Sequence, residues 1–325
     1  MRRRDALSGL LIACAASRSF AQAVRKLTVA ILIPFPETDE ESQNRRAVFT
    51  SSLEKLGWRE GHNLRLEVRH AVGDAQLRRQ VGELAALNPA VLLVQSNQAL
   101  SVAREQNSAI TTVFVEVSDP VGSGFVASLS RPGGNTTGFT NFEPQTGGKW
   151  LQILKELAPR IESVSMLLNP AIAANLELAR SVEAAATSLR IVATPVAAGD
   201  AMALETAIAG LAGKPHAGIV VLPNPTNTLH QRKIIDSAAH HRLPAIYPFS
   251  YYAKNGGLVA YGVDIKEMFR QAAAYVDRIL RGTLAAELPV QQPTKYELVI
   301  NLRTARALGL NVPGALLVRA HEVLE

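Results

Sequence analysis

The sequence predicts an α/β protein built as two doubly wound parallel-sheet lobes joined by a multi-crossing hinge. Three observations carry that expectation. At 325 residues the chain is long enough for two domains, each with its own core. Short runs rich in Val, Ile and Leu alternate with longer segments of helical period, the pattern of buried parallel strands covered by helices. This alternation occurs twice, once in each half of the chain. The composition agrees: 47% hydrophobic and 19% charged residues is globular rather than disordered. The only apolar run near membrane length lies at the extreme N-terminus, which argues against a polytopic membrane protein.

In the first half the predicted strands are Leu27–Ile33, Leu64–Arg69, Val91–Gln95, Thr111–Val117 and Thr137–Phe142. Helical period falls between them at Glu41–Leu56, Ala75–Leu87 and Ala99–Asn107, with a shorter helix near Phe125–Leu129. The second half repeats the scheme, with strands at Ser163–Leu168, Arg190–Pro195, Gly218–Leu222, Ala245–Tyr247 and Leu258–Gly262. Its helices are Gly147–Leu157, Ala173–Ser188, Met202–Leu211 and Asn227–His240. A long helix over Ile265–Leu280 and a strand–helix unit over Glu297–Leu308 follow. Punctuation supports the scheme, because Gly57, Gly282 and Gly309 each follow a helical stretch, where a left-handed residue is wanted. Pro89, Pro159 and Pro244 precede strands and stop helices from continuing. No low-complexity linker separates the halves, and the C-terminal material is left over after two five-strand units. The lobes are therefore expected to interleave: 24–141 with about 265–290 in the first, 142–264 with about 291–325 in the second.

Residues 1–23 read as an export signal. Arg2, Arg3 and Arg4 form a basic n-region, Ala6–Ala16 is mostly apolar, and Ala21-Gln22-Ala23 offers a small-x-small cleavage site. The arginines leave both the general secretory and the twin-arginine routes open. Leu11-Ile12-Ala13-Cys14 fits a lipoprotein box as a rival, with a short apolar region. Either way the mature chain is expected outside the cytoplasm, in the periplasm. Residues 1–23 hold four arginines and one aspartate, which leaves 30 basic against 27 acidic residues beyond them and a net charge of +3. The remaining basic residues are dispersed, so no nucleic-acid footprint is present. Cys14 is the single cysteine, so a disulfide scaffold and a thiolate metal site are excluded.

In open parallel sheets, ligands bind beyond the carboxyl ends of the strands. That rule selects Phe35 after the first strand, Ser96, Asn97 and Gln98 after the third, and Ser118 and Asp119 after the fourth. In the second half it selects Asn169, Asn224, Phe249 and Asp264. Most of these are hydroxyl and amide groups, suited to holding a small polar ligand and poor at breaking bonds, and each can also cap a helix. Of six tyrosines, Tyr247, Tyr251, Tyr252 and Tyr261 fall within fifteen residues, with Phe249 among them. Such a cluster suits a ligand that is part apolar and part hydrogen-bonding. Tyr247 and Tyr261 are the better wall candidates, because Tyr251 and Tyr252 also fit helix packing.

Catalytic constellations are missing. The seven histidines make no metal-binding i,i+4 pair with a Glu between them. No G-x-S-x-G elbow and no Walker A motif occurs. Gly122-x-Gly124-x-x-Ala127 mimics a dinucleotide fingerprint, with Glu143 downstream, but Asp119-Pro120-Val121 separates it from its strand and it falls in the fourth unit rather than the first. No cofactor, metal or catalytic residue is expected.

Several longer segments resemble one family. They include Gly57-Trp58-Arg59-Glu60-Gly61-His62-Asn63-Leu64, Val117-Ser118-Asp119-Pro120-Val121-Gly122-Ser123-Gly124, and Ser128-Leu129-Ser130-Arg131-Pro132-Gly133-Gly134-Asn135. Gly256-Gly257-Leu258-Val259-Ala260-Tyr261-Gly262-Val263-Asp264 and the stretch Leu288–Asn301 belong with them. The chain from about Leu27 to Glu325 is similar to extracytoplasmic substrate-binding proteins of ABC transporters, in the group related to tryptophan/tyrosine-type binding proteins. One departure is Arg319-Ala320-His321-Glu322, where the family usually has Asp for His, in the C-terminal tail and not expected to affect ligand choice. The resemblance implies a type I periplasmic-binding fold with three crossings, closing on a small solute such as an amino acid or an aromatic or carboxylate compound. It implies delivery to a membrane permease driven by a separate ATPase, with no chemistry in this chain, which is expected to act as a monomer. It also implies that Ser96–Gln98 and Ser118–Asp119 hold a carboxylate or similar group while Asn169, Asn224, Tyr247 and Asp264 approach from the other lobe. Two alternatives stay open: an exported enzyme using Asp119 or Asp264 as a base, and a sensor subunit presenting its closed form to a receptor.

Overall fold

The computed structural model describes residues 26–197 and 199–325. The expected export signal, including Cys14, lies outside the described residues. In chain order the elements are β1 (Leu27–Ile33), α1 (Glu40–Lys55), β2 (Leu64–His70), α2 (Asp74–Ala86), β3 (Val91–Gln95), α3 (Asn97–Gln106), β4 (Thr112–Val117) and β5 (Thr136–Thr140). There follow α4 (Thr146–Leu157), β6 (Ser163–Leu168), α5 (Ala173–Leu189), β7 (Val192–Ala197), α6 (Ala201–Ala209), β8 (Ala217–Val221), α7 (Pro225–Leu229) and α8 (Gln231–His240). The chain ends with β9 (Ala245–Tyr247), α9 (Ser250–Lys254), β10 (Val259–Val263), α10 (Ile265–Leu280), β11 (Tyr296–Asn301), α11 (Leu302–Ala307), α12 (Gly314–Arg319) and β12 (Glu322–Leu324).

The strands form two sheets, one ordered β2-β1-β3-β4-β5 and the other β12-β11-β10-β9-β8-β6-β7. All pairings in the first are parallel. Its strands are apolar on both faces because helices cover both. Val29 and Ile31 of β1 pack with Phe49 and Leu53 of α1, while Ala30 and Leu32 face Leu77, Val81 and Leu84 of α2. In the second sheet β11 runs antiparallel to β10 and parallel to β12, so the C-terminal strands depart from the all-parallel expectation. His321 belongs to this edge: its amide donates to the Leu298 carbonyl and its Nδ1 lies 3.1 Å from the Leu298 amide.

Three segments carry the chain between the sheets. Beyond β5, helix α4 packs on α5 of the second lobe; beyond β10, helix α10 returns to pack on α1 and β4; then Gln291 bridges Phe139 of β5 before β11 rejoins the second sheet. Glycine ends α1 and α10 as the sequence suggested, with φ of 96° at Gly57 and 103° at Gly282.

Some local expectations fail for identifiable reasons. The helix expected near Phe125–Leu129 is a series of turns. The amides of Phe125 and Val126 both go to the Pro120 carbonyl, that of Ala127 goes to Pro132, and Gly124 has a φ of 70°. The helix expected over Asn227–His240 is two helices meeting at His230, the first starting earlier at Pro225 behind the Asn224 cap. Arg190 is a left-handed C-cap of α5 rather than the start of β7. No helix among the described residues is long and apolar enough to cross a membrane.

Candidate functional site

Both sheets share the strand order 2-1-3-4-5 over their first five strands, and in each the order reverses between the first and third. Doubly wound sheets bind ligands at that reversal, beyond the carboxyl ends. The two reversals face each other here, and a cavity of about 30 Å³ lies between them. From the first lobe it is bordered by Phe35 after β1, Gln95, Ser96 and Asn97 at the end of β3, Glu116 and Ser118 at the end of β4, and Asn141 after β5. From the second it is bordered by Ile172 after β6, by Pro223, Asn224, Pro225 and Thr228 after β8, and by Phe249 after β9. That volume is room for a water or two. A neighbouring recess of about 250 Å³ shares Asn97 and Ile172 with the cavity.

Local hydrogen bonds fix the first-lobe wall. The Asn97 amide nitrogen donates to the Ser118 carbonyl at 2.7 Å, and the Ser118 amide donates back to Asn97 Oδ1 at 2.9 Å. Ser118 Oγ donates to Asn141 Oδ1 at 2.7 Å, which ties the hinge side to β4. Ser96 caps α3 by accepting from the Ala99 amide at 3.3 Å, leaving the amides of Asn97 and Gln98 without intrahelical partners at a positive helix end. Across the cleft, Asn224 caps α7 through Oδ1 at 2.9 Å from the Asn227 amide. Its Nδ2 faces Asn175 Oδ1 at 3.3 Å. Phe249 stands between the rings of Phe142 and Tyr251, 5.5 Å from each.

Behind this wall lies a buried charge pair. Arg45 of α1 is 1% exposed and donates through NH1 to Glu116 Oε1 at 3.0 Å. Gln95 Nε2 donates to the same oxygen at 2.8 Å. The Arg45 guanidinium also lies 5.3 Å from the ring centre of Tyr251, on α9 of the other lobe, while its Nε and NH2 have no hydrogen-bond partner among the described residues. Burial opposes the charge on Arg45, but Glu116 and Tyr251 outweigh it and the guanidinium is held more firmly protonated than usual. Burial raises the Glu116 carboxyl above its ordinary value, with Arg45 and Gln95 pulling the other way. Glu116 has a φ of 54° and sits at the register shift in β4 between Phe114 and Val117.

The sequence-selected residues divide into three groups. Phe35, Ser96, Asn97, Ser118, Asn224 and Phe249 come together around the cavity. Gln98 and Asn169 line the neighbouring recess, where Gln98 Nε2 donates to Asp74 Oδ1 at 2.6 Å. Asp119, Tyr247, Tyr261 and Asp264 are elsewhere. Asp119 accepts from the Gly122 amide at 2.9 Å in a turn. Tyr247 is enclosed in the second-lobe core, stacked 5.1 Å from Tyr252. Tyr261 stacks 5.3 Å from Tyr296. Asp264 caps α10 through the Glu267 amide at 3.1 Å and borders a separate recess of about 370 Å³ at the hinge. Sequence reasoning passed over Gln95, Glu116, Asn141 and Thr228. Glu116 left one signal, a charged residue near the end of the otherwise apolar strand TVFVEV.

Paired α/β lobes closing over a polar and aromatic cavity define a bilobal binding protein. Residues 28–324 match the family described as ABC transporter substrate binding protein, and the chain belongs to that family. It is 23% identical over 290 residues to the Tyrosine-binding protein of Clostridioides difficile (strain R20291), covering 88% of this chain and 81% of that one. Among solved structures it is similar to a conserved domain protein of Vibrio cholerae, at 26% identity and a TM-score of 0.83, covering 92% of this chain and 99% of the other. It is also similar in fold to an ABC domain of Streptococcus pneumoniae in complex with L-Trp, at 17% identity and a TM-score of 0.85, covering 92% and 100%.

Proposed function

We propose that the chain captures a small carboxylate-bearing solute, an amino acid or an aromatic acid, between its lobes outside the cytoplasm and delivers it to a membrane permease. The observation that carries this reading is the convergence of strand ends from both sheets on one cavity lined by Ser, Asn, Gln and Phe side chains. Contacts from both lobes exist together only when the lobes are closed, so ligand favours closure by its differential affinity for that state. Asp119 and Asp264, the strand-end acids expected of an exported enzyme, are engaged with backbone amides away from the cavity, and the carboxylate on the cavity wall, Glu116, is tied to Arg45 and Gln95, which supports binding without turnover. The amides of Asn97 and Gln98 at the α3 N-terminus suit the ligand carboxylate. The names of the tyrosine-binding relative and the L-Trp complex favour an aromatic amino acid. On this reading the hinge boundaries fall near residues 141, 264 and 291.

Thermal unfolding of the purified protein with a panel of amino acids and aromatic acids tests the proposal. A true ligand at a hundredfold excess over its Kd stabilises by about 2.7 kcal/mol. Absence of any shift across the panel, or accumulation of a product from any member, overturns it.

A further inference from the structure

We infer that Glu116 receives the ammonium group of the ligand, so that the site takes α-amino acids in preference to carboxylates of the same shape without the amine. The inference rests on solute capture in the cleft as proposed above, and it narrows the class of solute. Glu116 borders the cavity, and the pair behind it occupies only one of its oxygens: Oε1 accepts from both Arg45 and Gln95. Oε2 accepts no hydrogen bond among the described residues, yet it is not among the enclosed polar atoms that lack a partner. It therefore opens on the cavity as an anionic acceptor without a donor.

The backbone is built to present that acceptor. At Glu116 the parallel register of β4 on β5 is interrupted, and the residue takes a left-handed φ of 54° that non-glycine residues avoid. Its amide leaves the sheet ladder and lies 3.2 Å from Met268 Sδ of α10. Bulged residues of this kind re-aim side chains at sites. An Arg–Glu pair enclosed for stability alone gains little, since replacing such pairs with apolar residues is often neutral or stabilising. A carboxylate held in place by Arg45 and Gln95, with its second oxygen free, is what an incoming cation requires. Ser96 and Asn97 border the same cavity, at the end of α3 whose first amides lack intrahelical partners, so one wall carries an acceptor beside groups that can donate to an anion. That arrangement matches the two charges on a zwitterionic amino acid.

The charged and titratable groups that act most strongly on Glu116 include Arg45 and Glu41 of α1, Asp39 before it, and Tyr251 of α9. Asp39 and Glu41 deepen the negative potential that an ammonium would meet, while Arg45 stays protonated.

Calorimetric titration with matched pairs tests the inference. Each amino acid that binds the wild-type protein is compared with its des-amino counterpart, an aromatic amino acid against the corresponding 3-arylpropionate. The amino acid is expected to bind at least tenfold more tightly. Glu116→Gln should bring that ratio close to one. A second variant, Arg45→Met with Glu116→Gln, should do the same without leaving a lone buried charge, and circular dichroism of both checks the fold. Equal affinity for the two members of a pair in the wild type, or an unchanged ratio in folded variants, overturns the role of Glu116 while leaving solute capture standing. If neither class binds the wild-type protein, the capture reading falls and this inference falls with it.

Discussion

Arg45 is enclosed and charged, and only one of its three nitrogens has a hydrogen-bond partner among the described residues. Removing one member of a buried pair strands the other, at a cost of about 3 kcal/mol or more. Arg45→Met should therefore lower stability by about 3 kcal/mol in urea denaturation at neutral pH, with much of that recovered in Arg45→Met/Glu116→Gln. A double variant as unstable as the sum of the singles would show that the two residues act independently. Glu116 also sets a pH dependence. Its carboxyl is raised above the ordinary 4.5, so the folded protein holds the proton more readily than the unfolded chain. The contribution of Glu116 is then fully present below the ordinary value and is lost as pH rises through the raised one. The stability of the wild type relative to Glu116→Gln should accordingly fall as pH rises above the ordinary carboxyl value, a trend read from denaturation midpoints across a pH series. A rising difference would contradict it. The sequence could place Ser96, Asn97 and Asn224 at the cavity because polar groups at strand ends follow a general rule. It could not mark Glu116 or Arg45, since a charge inside an apolar strand or a helix acquires meaning only once the helix is known to bury it.

At the scale of the elements, α4 and α5 pack through two glycines. A Cβ on Gly147 would lie 2.2 Å from the Leu178 carbonyl oxygen, whereas one on Gly148 would lie 3.3 Å from the Ser181 carbonyl. Backbone cannot yield as a side chain does, so the helices must separate at Gly147 and need only a small adjustment at Gly148. Glycine to alanine in a helix gains about 1 kcal/mol of propensity at either site, and overpacking costs about 1–3 kcal/mol. Gly147→Ala should thus lower the unfolding midpoint in urea, while Gly148→Ala should leave it nearly unchanged. Equal effects would mean that the α4–α5 contact does not control stability here. Element existence was readable wherever apolar period and punctuation agreed, as in β1, β3, β6 and α10. Where they conflicted the structure differs: the glycine-rich segment after β4 forms turns instead of a helix, and the short edge strand β12 has too few residues to show a period. Tyr247 and Tyr261 misled for a related reason. An aromatic at a strand end can face the cleft or the core, and only the sheet's pleat decides.

For the whole molecule, the contact between Arg45 of the first lobe and the Tyr251 ring of the second is one of the interactions that join the lobes. A cation over an aromatic face contributes about 0.5–2 kcal/mol, more when water is excluded. Tyr251 is not on the cavity wall, though it stacks on Phe249, which is, so replacing it with leucine acts on closure and on the seating of Phe249 together. Apparent affinity scales with the fraction of molecules competent to bind, and about 1.4 kcal/mol against closure would weaken it tenfold. Tyr251→Leu should therefore bind ligand up to about tenfold more weakly and show a larger radius of gyration in solution scattering without ligand. Tyr251→Phe keeps the ring and deletes a hydroxyl that lies near Arg45 and Thr228 but makes no hydrogen bond of good geometry among the described residues, so it should close like the wild type and be no less stable. The pair of variants separates the ring from the hydroxyl. If Tyr251→Phe loses affinity as Tyr251→Leu does, then closure depends on the hydroxyl and the cation–ring contact does not hold the lobes together. If neither variant alters scattering or affinity, the lobes are held by other contacts, and Arg45 serves only to steady Glu116 at the edge of the cavity.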